Sequence, residues 1–161
     1  MRIPASKEAA LEAASAVQSD ITVFSDGSSE GGHVGAAAVL YRNGVERRVL
    51  RKHLGTDERH TVFEAEVLGM SLAVELIKME SSMRSVSIGI DSQAAILATR
   101  HIRGTLGQYL VDVFHEQMQS LCSRHAGIDV ELRWMPGHLG ILGHEQVDKE
   151  AKKAALGESS R

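Results

Sequence analysis

Four carboxylates in this chain stand in settings from which chemistry could be built. Asp26 follows the short apolar run 21–25 and is itself followed by Gly27 and Ser28. Asp91 follows a second apolar run, 85–90, and is followed by Ser92 and Gln93. Glu66 lies inside a segment with helical spacing, and Asp148 lies near the start of another. Two acids at strand ends and two on helices can converge on one pocket. Converged carboxylates repel and raise one another's pKa values unless a cation neutralises them. Oxygen ligands of this kind suit Mg²⁺ or Mn²⁺. The set therefore points to metal-dependent phosphate chemistry. Any one of these acids alone would be read as a solvated surface residue; the small and hydroxyl residues that follow Asp26 and Asp91 single them out. Glu64 competes with Glu66 but lies about 200° away around a helix. The run Glu66-Val67-Leu68-Gly69-Met70 favours Glu66, leaving Glu64 as a solvated face. Glu145 reads as a helix-start charge, favourable at the positive end of the helix dipole.

The elements that must position these acids follow from periodicity. Residues 21–25, 34–41 and 45–54 read as strands, with residues 27–32 as a turn between the first two. Asn43-Gly44, between the second and third, is a strong hairpin turn pair. Residues 61–79 place Val62, Phe63, Glu66, Val67, Met70, Ala73, Leu76 and Ile77 at helical spacing. A fourth strand is expected over 85–90, a short helix over 92–99 and a longer helix from about residue 106 to 124. Residues 128–134 alternate as a fifth strand, 136–143 read as loop and 144–156 as a closing helix. Hairpin-linked strands followed by alternating helices and strands imply an α/β fold with a mixed sheet covered by helices. In such sheets ligands gather at strand ends where the strand order switches, so Asp26 and Asp91 meet if the first and fourth strands are parallel neighbours.

At 161 residues the chain has one domain's worth of sequence, with room for a core. Its 43% hydrophobic and 24% charged residues are ordinary for a globular protein. No stretch approaches the roughly 20 apolar residues of a membrane span, and the first residues lack the apolar core of a signal peptide. No membrane partner is expected. One cysteine, Cys122, excludes an internal disulfide and fits an intracellular, reducing location, nucleus or cytoplasm; it reads as a small buried hydrophobe on a helix. The net charge of −3 weighs against nucleic-acid binding driven by bulk charge, though not against a nuclease whose acids gather at a metal site. Arg47, Arg48, Arg51 and Lys52 read as the solvent side of an edge strand, where basic charge deters pairing. The segment 27–32 lacks the Lys and helix of a P-loop. His33, His53, His60, His101, His115 and His125 read as surface or cap residues. Residues 1–19, rich in Ala, read as a helical lead-in or linker, 20–157 as the domain and 158–161 as a disordered tail.

The ordered set Asp26-Gly27-Ser28, Glu66, Asp91-Ser92-Gln93, Trp134-x-Pro136-Gly137-His138 and Glu145-x-x-Asp148 resembles the ribonuclease H family. The resemblance covers about residues 20–157 and matches the order of elements. It implies a ribonuclease H-like fold, a five-stranded mixed sheet flanked by helices. It implies endonucleolytic hydrolysis of the RNA strand of RNA–DNA hybrids, leaving 5′-phosphate and 3′-hydroxyl ends. It also implies two Mg²⁺ ions, with Mn²⁺ as a substitute, held by Asp26, Glu66, Asp91 and Asp148. Asp26 would bridge both ions, Glu66 and Asp91 would hold one, and Asp148 would help hold the other beside the attacking water. His138 would assist by proton handling or product release, as an imidazole with an ordinary pKa near 6.5 can. Gly27, Ser28, Thr61, Ser92 and Gln93 would contact the hybrid. Residues 62–66, 107–110 and 133–138 look most like ribonuclease H domains of fungal retrotransposon polyproteins, so the chain is expected to be a monomer cut from, or part of, a reverse-transcriptase polyprotein.

Three departures qualify the resemblance. His144 stands where the family usually has Asn, and could hydrogen-bond or compete for metal. Val62 and Phe63 replace an Asn pair that contacts the hybrid's minor groove. Between Thr99 and Leu106 there is no extended basic protrusion, only Arg100, His101 and Arg103. Two other readings remain: a catalytically silent domain that only grips hybrid, and another nuclease such as an integrase-like or 3′-exonuclease domain. Digestion with and without chelator separates the first, and a comparison of duplex DNA, RNA and hybrid separates the second. The acids argue against a silent domain, and the His138-to-Asp148 interval favours ribonuclease H.

Overall fold

The computed structural model describes residues 5–15, 19–100, 107–137 and 140–160. Three antiparallel strands come first: β1 (Ile21–Glu30), β2 (His33–Arg42) and β3 (Val45–Thr56). The β2–β3 turn is made by Asn43 and Gly44 at φ 52° and 74°, the doubly left-handed pair that a twisted two-residue hairpin needs. Next come α2 (Val62–Lys78), β4 (Ser85–Ile90), α3 (Gln93–Ala98), α4 (Gln108–Arg124), β5 (Asp129–Trp134) and α5 (Leu142–Ala155), with α1 (Lys7–Ser15) preceding the sheet. The strand order is β3-β2-β1-β4-β5, with β4 parallel to both β1 and β5. This is the five-stranded mixed sheet flanked by helices that the residue pattern implied.

The period of two along the strands builds both layers. Val23, Ala38 and Leu40 face a core with Met70 and Ile77 of α2 and Phe114 of α4. Phe24, Ala37 and Val39 face a smaller core with Val147 and Ala151 of α5. Asp26, two residues beyond Phe24, shares the parity of the α5 face.

Several expectations change. Residues 27–30 are not turn but strand, because pairing with β2 continues from Asp26↔Ala37 to Glu30↔His33; the turn is only Gly31 and Gly32, both at positive φ. Asp26 therefore lies within a strand rather than at its end. What ends beside it is the parallel ladder: Ser25↔Ile90 is its last pair. The tail expected to be disordered is fastened to edge strand β3. Ser159 and Ser160 hydroxyls accept from the His53 and Arg51 backbone N–H groups at 2.9 Å each, and Ser160 N–H donates to the Arg51 carbonyl at 2.9 Å. In the lead-in, Ala10 is buried and Arg133 donates to the Ala13 carbonyl at 3.1 Å, so α1 docks beside β5. Cys122 is exposed on α4, not buried. The basic residues of β3 are only partly a solvent face: Arg48 pairs with Glu80, and Arg51 pairs with the buried Glu150 of α5. Among the described residues, no helix is long and apolar enough to cross a membrane.

Candidate active site

The site forms where β4 stops. Ser25 and Ile90 are the last partners of β1 and β4, so Asp26 and Asp91 occupy the next position along each strand. β5 holds this end of β4 in place: Met135 N–H donates to the Ile90 carbonyl at 2.8 Å, and Trp134 Nε1 donates to the Asp91 carbonyl at 2.9 Å. Trp134 thereby acts on the acid's own backbone.

Glu66 arrives from α2. The helix begins with a capping box: Thr61 Oγ1 accepts from Glu64 N–H at 3.2 Å, and Glu64 Oε2 accepts from Thr61 N–H at 2.9 Å. Glu64 is thus committed to the helix start, which supports its separation from Glu66. Gly27 lets the helix lie against β1. A Cβ at that position would sit 2.5 Å from the Glu66 nitrogen and 2.7 Å from Ala65. The result is a trio, Asp26, Glu66 and Asp91, each offering a carboxylate oxygen within 4.8 Å of the others.

The trio is costly in the absence of a cation. Asp26 is 7% and Glu66 8% exposed. Burial first, then Asp91 and Asp148, push Asp26 up to about 8, although the Gly27 N–H donates to its Oδ1 at 2.9 Å. Burial first, then Asp26 and Asp91, push Glu66 up to about 9. Glu66 Oε2 is buried with no hydrogen-bond partner. An orphaned carboxylate oxygen beside two further acids is the arrangement a divalent cation resolves. The donor set is all oxygen and fits Mg²⁺ or Mn²⁺.

Asp148 stands apart from this trio. It lies on α5, its side chain 33% exposed and bonded to Lys152 Nζ at 2.8 Å. A cavity of about 180 Å³ lies between it and the acids of β1 and β4; Asp26, Asp91, Gly137, His144, Glu145, Asp148 and Lys149 line it. The four acids thus form one compact trio with the fourth across a small gap. Gly137 closes one wall: a Cβ there would lie 3.0 Å from Asp91 Oδ2.

Of the other expected residues, Ser28 is buried in β1, and Ser92 caps α3 by accepting from Ala95 N–H at 3.1 Å. Thr61 serves as the α2 cap, and Gln93 is exposed at the start of α3. His138, His101 and Arg103 lie outside the described residues. Sequence reading missed Lys149 and Lys152 as neighbours of the site. The spacing of Asp148 and Lys152, four apart on a helix, was the available signal. His144, noted only as a departure, proves to be buried on the cavity wall. Its ring meets Phe24 edge-on at 5.0 Å, and burial lowers its pKa to about 4, leaving a neutral imidazole.

Strand order, strand direction and acid placement define a ribonuclease H-like α/β fold with a carboxylate trio beside the end of its central parallel ladder. The RNase H family model matches residues 18–156, and the chain belongs to the RNase H family, a family of ribonuclease H enzymes. No curated protein matches the chain significantly. Solved structures match it in fold. The N-terminal RNase H domain of a Mycobacterium tuberculosis protein aligns with TM-score 0.62 and 18% identity over 84% of this chain and 98% of that one. A compost-derived ribonuclease H1, solved in complex with an RNA/DNA hybrid, aligns with TM-score 0.63 and 15% identity over 84% and 96%. Ribonuclease H1 from the archaeon Halobacterium salinarum aligns with TM-score 0.57 and 18% identity over 83% and 96%.

Proposed function

We propose that this chain is an endoribonuclease that hydrolyses the RNA strand of RNA–DNA hybrids with two divalent ions. The observation that carries the reading is the trio of Asp26, Glu66 and Asp91, the first two buried, with its orphaned Glu66 oxygen. Family membership and the hybrid held by the compost-derived neighbour support the substrate. Asp26, Glu66 and Asp91 would hold one ion, and Asp26 with Asp148 the other. When bound, two such ions stabilise the entering and leaving oxygens of an in-line displacement.

The chain's own residues do the rest. Asp26 and Asp91 fix where the scissile phosphate sits, because β1 and β4 are held by the ladder and by the Trp134 bond to Asp91. In the hydrolysis a water oxygen bonds to phosphorus as the P–O3′ bond breaks. The water gives up its proton, the 3′ oxygen takes one up, and the RNA fragments carry 5′-phosphate and 3′-hydroxyl ends. Asp148, across the cavity from Asp26 and Asp91, would orient the attacking water, and His138 would handle the proton or release product. Gly27 and Ser28 of β1, with Thr61, Ser92 and Gln93 at the starts of α2 and α3, would contact the hybrid. The 2′-hydroxyl distinguishes RNA at such a site.

The same proposal places the chain in the nucleus or cytoplasm as a monomer, within a fungal retrotransposon polyprotein. Residues 62–66, 107–110 and 133–138 and the single cysteine support that context. Light scattering on the purified chain checks the monomer.

The decisive assay offers labelled RNA–DNA hybrid, duplex DNA and single-stranded RNA with Mg²⁺, Mn²⁺ or chelator. The expected outcome is cleavage of hybrid RNA alone, only with metal, leaving 5′-phosphates. Hybrid left intact under every metal condition sinks the reading.

A further inference from the structure

His144 sits in the first turn of α5, four residues before Asp148, so the two side chains rise from one face of the helix. The imidazole is 5% exposed, and its Nε2 has no hydrogen-bond partner. A buried polar atom without a partner calls for an explanation. Packing fixes the ring but does not satisfy the nitrogen: Phe24 meets it edge-on, and a Cβ at neighbouring Gly143 would lie 2.1 Å from that phenyl ring. The same imidazole lines the cavity between Asp26, Asp91 and Asp148. Among the described residues the compact carboxylate trio includes neither His144 nor Asp148. Both come from α5 and line one cavity with Asp26 and Asp91.

We propose that His144 supplies a nitrogen donor to the divalent ion held between Asp26 and Asp148, and so biases the site toward Mn²⁺ over Mg²⁺. Mg²⁺ takes oxygen ligands and tolerates substitution of them poorly, whereas imidazole is a common ligand for transition metals. An amide side chain in this place would offer oxygen only. The inference rests on the metal-nuclease reading of the acidic cluster.

The test measures Mn²⁺ and Mg²⁺ binding to the substrate-free protein by calorimetry, after chelation, for wild type, His144→Asn and His144→Phe. Electron spin-echo modulation on the Mn²⁺-loaded proteins reads nitrogen coordination directly. His144→Phe keeps an aromatic ring against Phe24, and thermal melts of the metal-free variants report whether each is folded. Wild type should show ¹⁴N modulation that both variants lack. Its ratio of Mn²⁺ to Mg²⁺ affinity should exceed theirs by about tenfold or more, the usual scale for groups that tune a metal site. Absence of ¹⁴N modulation in wild type, or an unchanged affinity ratio in both variants, overturns the proposal. Hybrid cleavage without a nitrogen signal sinks this inference and leaves the nuclease reading standing; a nitrogen signal without hybrid cleavage does the reverse.

Discussion

Asp26 is asked to be charged in a place that resists charge. It is 7% exposed, with Glu66 and Asp91 within 4.8 Å, and its carboxyl is pushed up to about 8. Glu66 is pushed to about 9 for the same reasons, burial first. Their folded pKa values stand above the unfolded range near 4. The native state therefore keeps protons that the unfolded chain releases, and metal-free stability falls as pH rises from about 4 through 8–9. Asp26→Asn removes that penalty and one of the proposed metal ligands together. The variant should melt higher than wild type in chelator at pH 8, by at least about 2–4 °C for each kcal/mol relieved in a chain of this size, and should not cleave hybrid. A melting point below wild type at pH 8 would show that Asp26 is not strained. Glu66→Gln should behave likewise, whereas Glu64→Gln weakens only the α2 cap and leaves cleavage near the wild-type rate. Equal losses from Glu64→Gln and Glu66→Gln, in the hybrid assay, would undo the distinction between them.

The elements bring these residues together through close contacts that side-chain chemistry alone does not reveal. Gly27 allows α2 to lie on β1, and a methyl there would press into backbone at Glu66 and Ala65 rather than into a flexible side chain. Gly27→Ala should destabilise by about 1–3 kcal/mol in a denaturant melt, the usual cost of overpacking. By moving Glu66 away from Asp26 it should also slow cleavage about 10²-fold, the scale of a misplacement of about 1 Å. A variant that is destabilised but cleaves at the wild-type rate would show that α2 can shift without consequence. The element order and the acid set were legible in the sequence, because apolar alternation and helical spacing are strong along 21–25, 61–79 and 85–90. The length of β1 was not. Gly27, Ser28 and Ser29 carry turn-like composition, and only pairing with the small residues of β2 makes them strand. The covering of β3 by Ser159 and Ser160 was also hidden, since a polar tail gives no pattern until an edge strand offers it partners. His144 was visible as a departure, but its burial depends on Phe24 from a strand 120 positions earlier in the chain.

At the scale of the whole molecule, the net charge of −3 and the acid trio link folding to the cation. A ligand that binds only the native state stabilises by RT ln(1 + [L]/Kd), about 2.7 kcal/mol at a hundred times Kd. In a chain of this size that amounts to about 5–11 °C in melting temperature. The shift depends on pH in a direction that Asp26 and Glu66 set. At pH 5 both stay protonated in the metal-free native state, because their pKa values are raised to about 8 and about 9. A cation must then displace protons and binds weakly. Toward pH 9 the protons leave without its help, and the full stabilisation appears. Thermal melts in chelator and in excess Mg²⁺, run from pH 5 to 9, should therefore diverge as pH rises, and Asp26→Asn should bring the two curves together. The whole-molecule charge adds a second consequence. A chain of net charge −3 gains little from bulk attraction to phosphate, so metal should be required for grip as well as for cutting. Hybrid binding measured by fluorescence anisotropy, using Asp148→Asn to slow cleavage, should weaken sharply on chelation. Binding of equal strength with and without metal would show that the hybrid is held by a surface remote from the carboxylate trio.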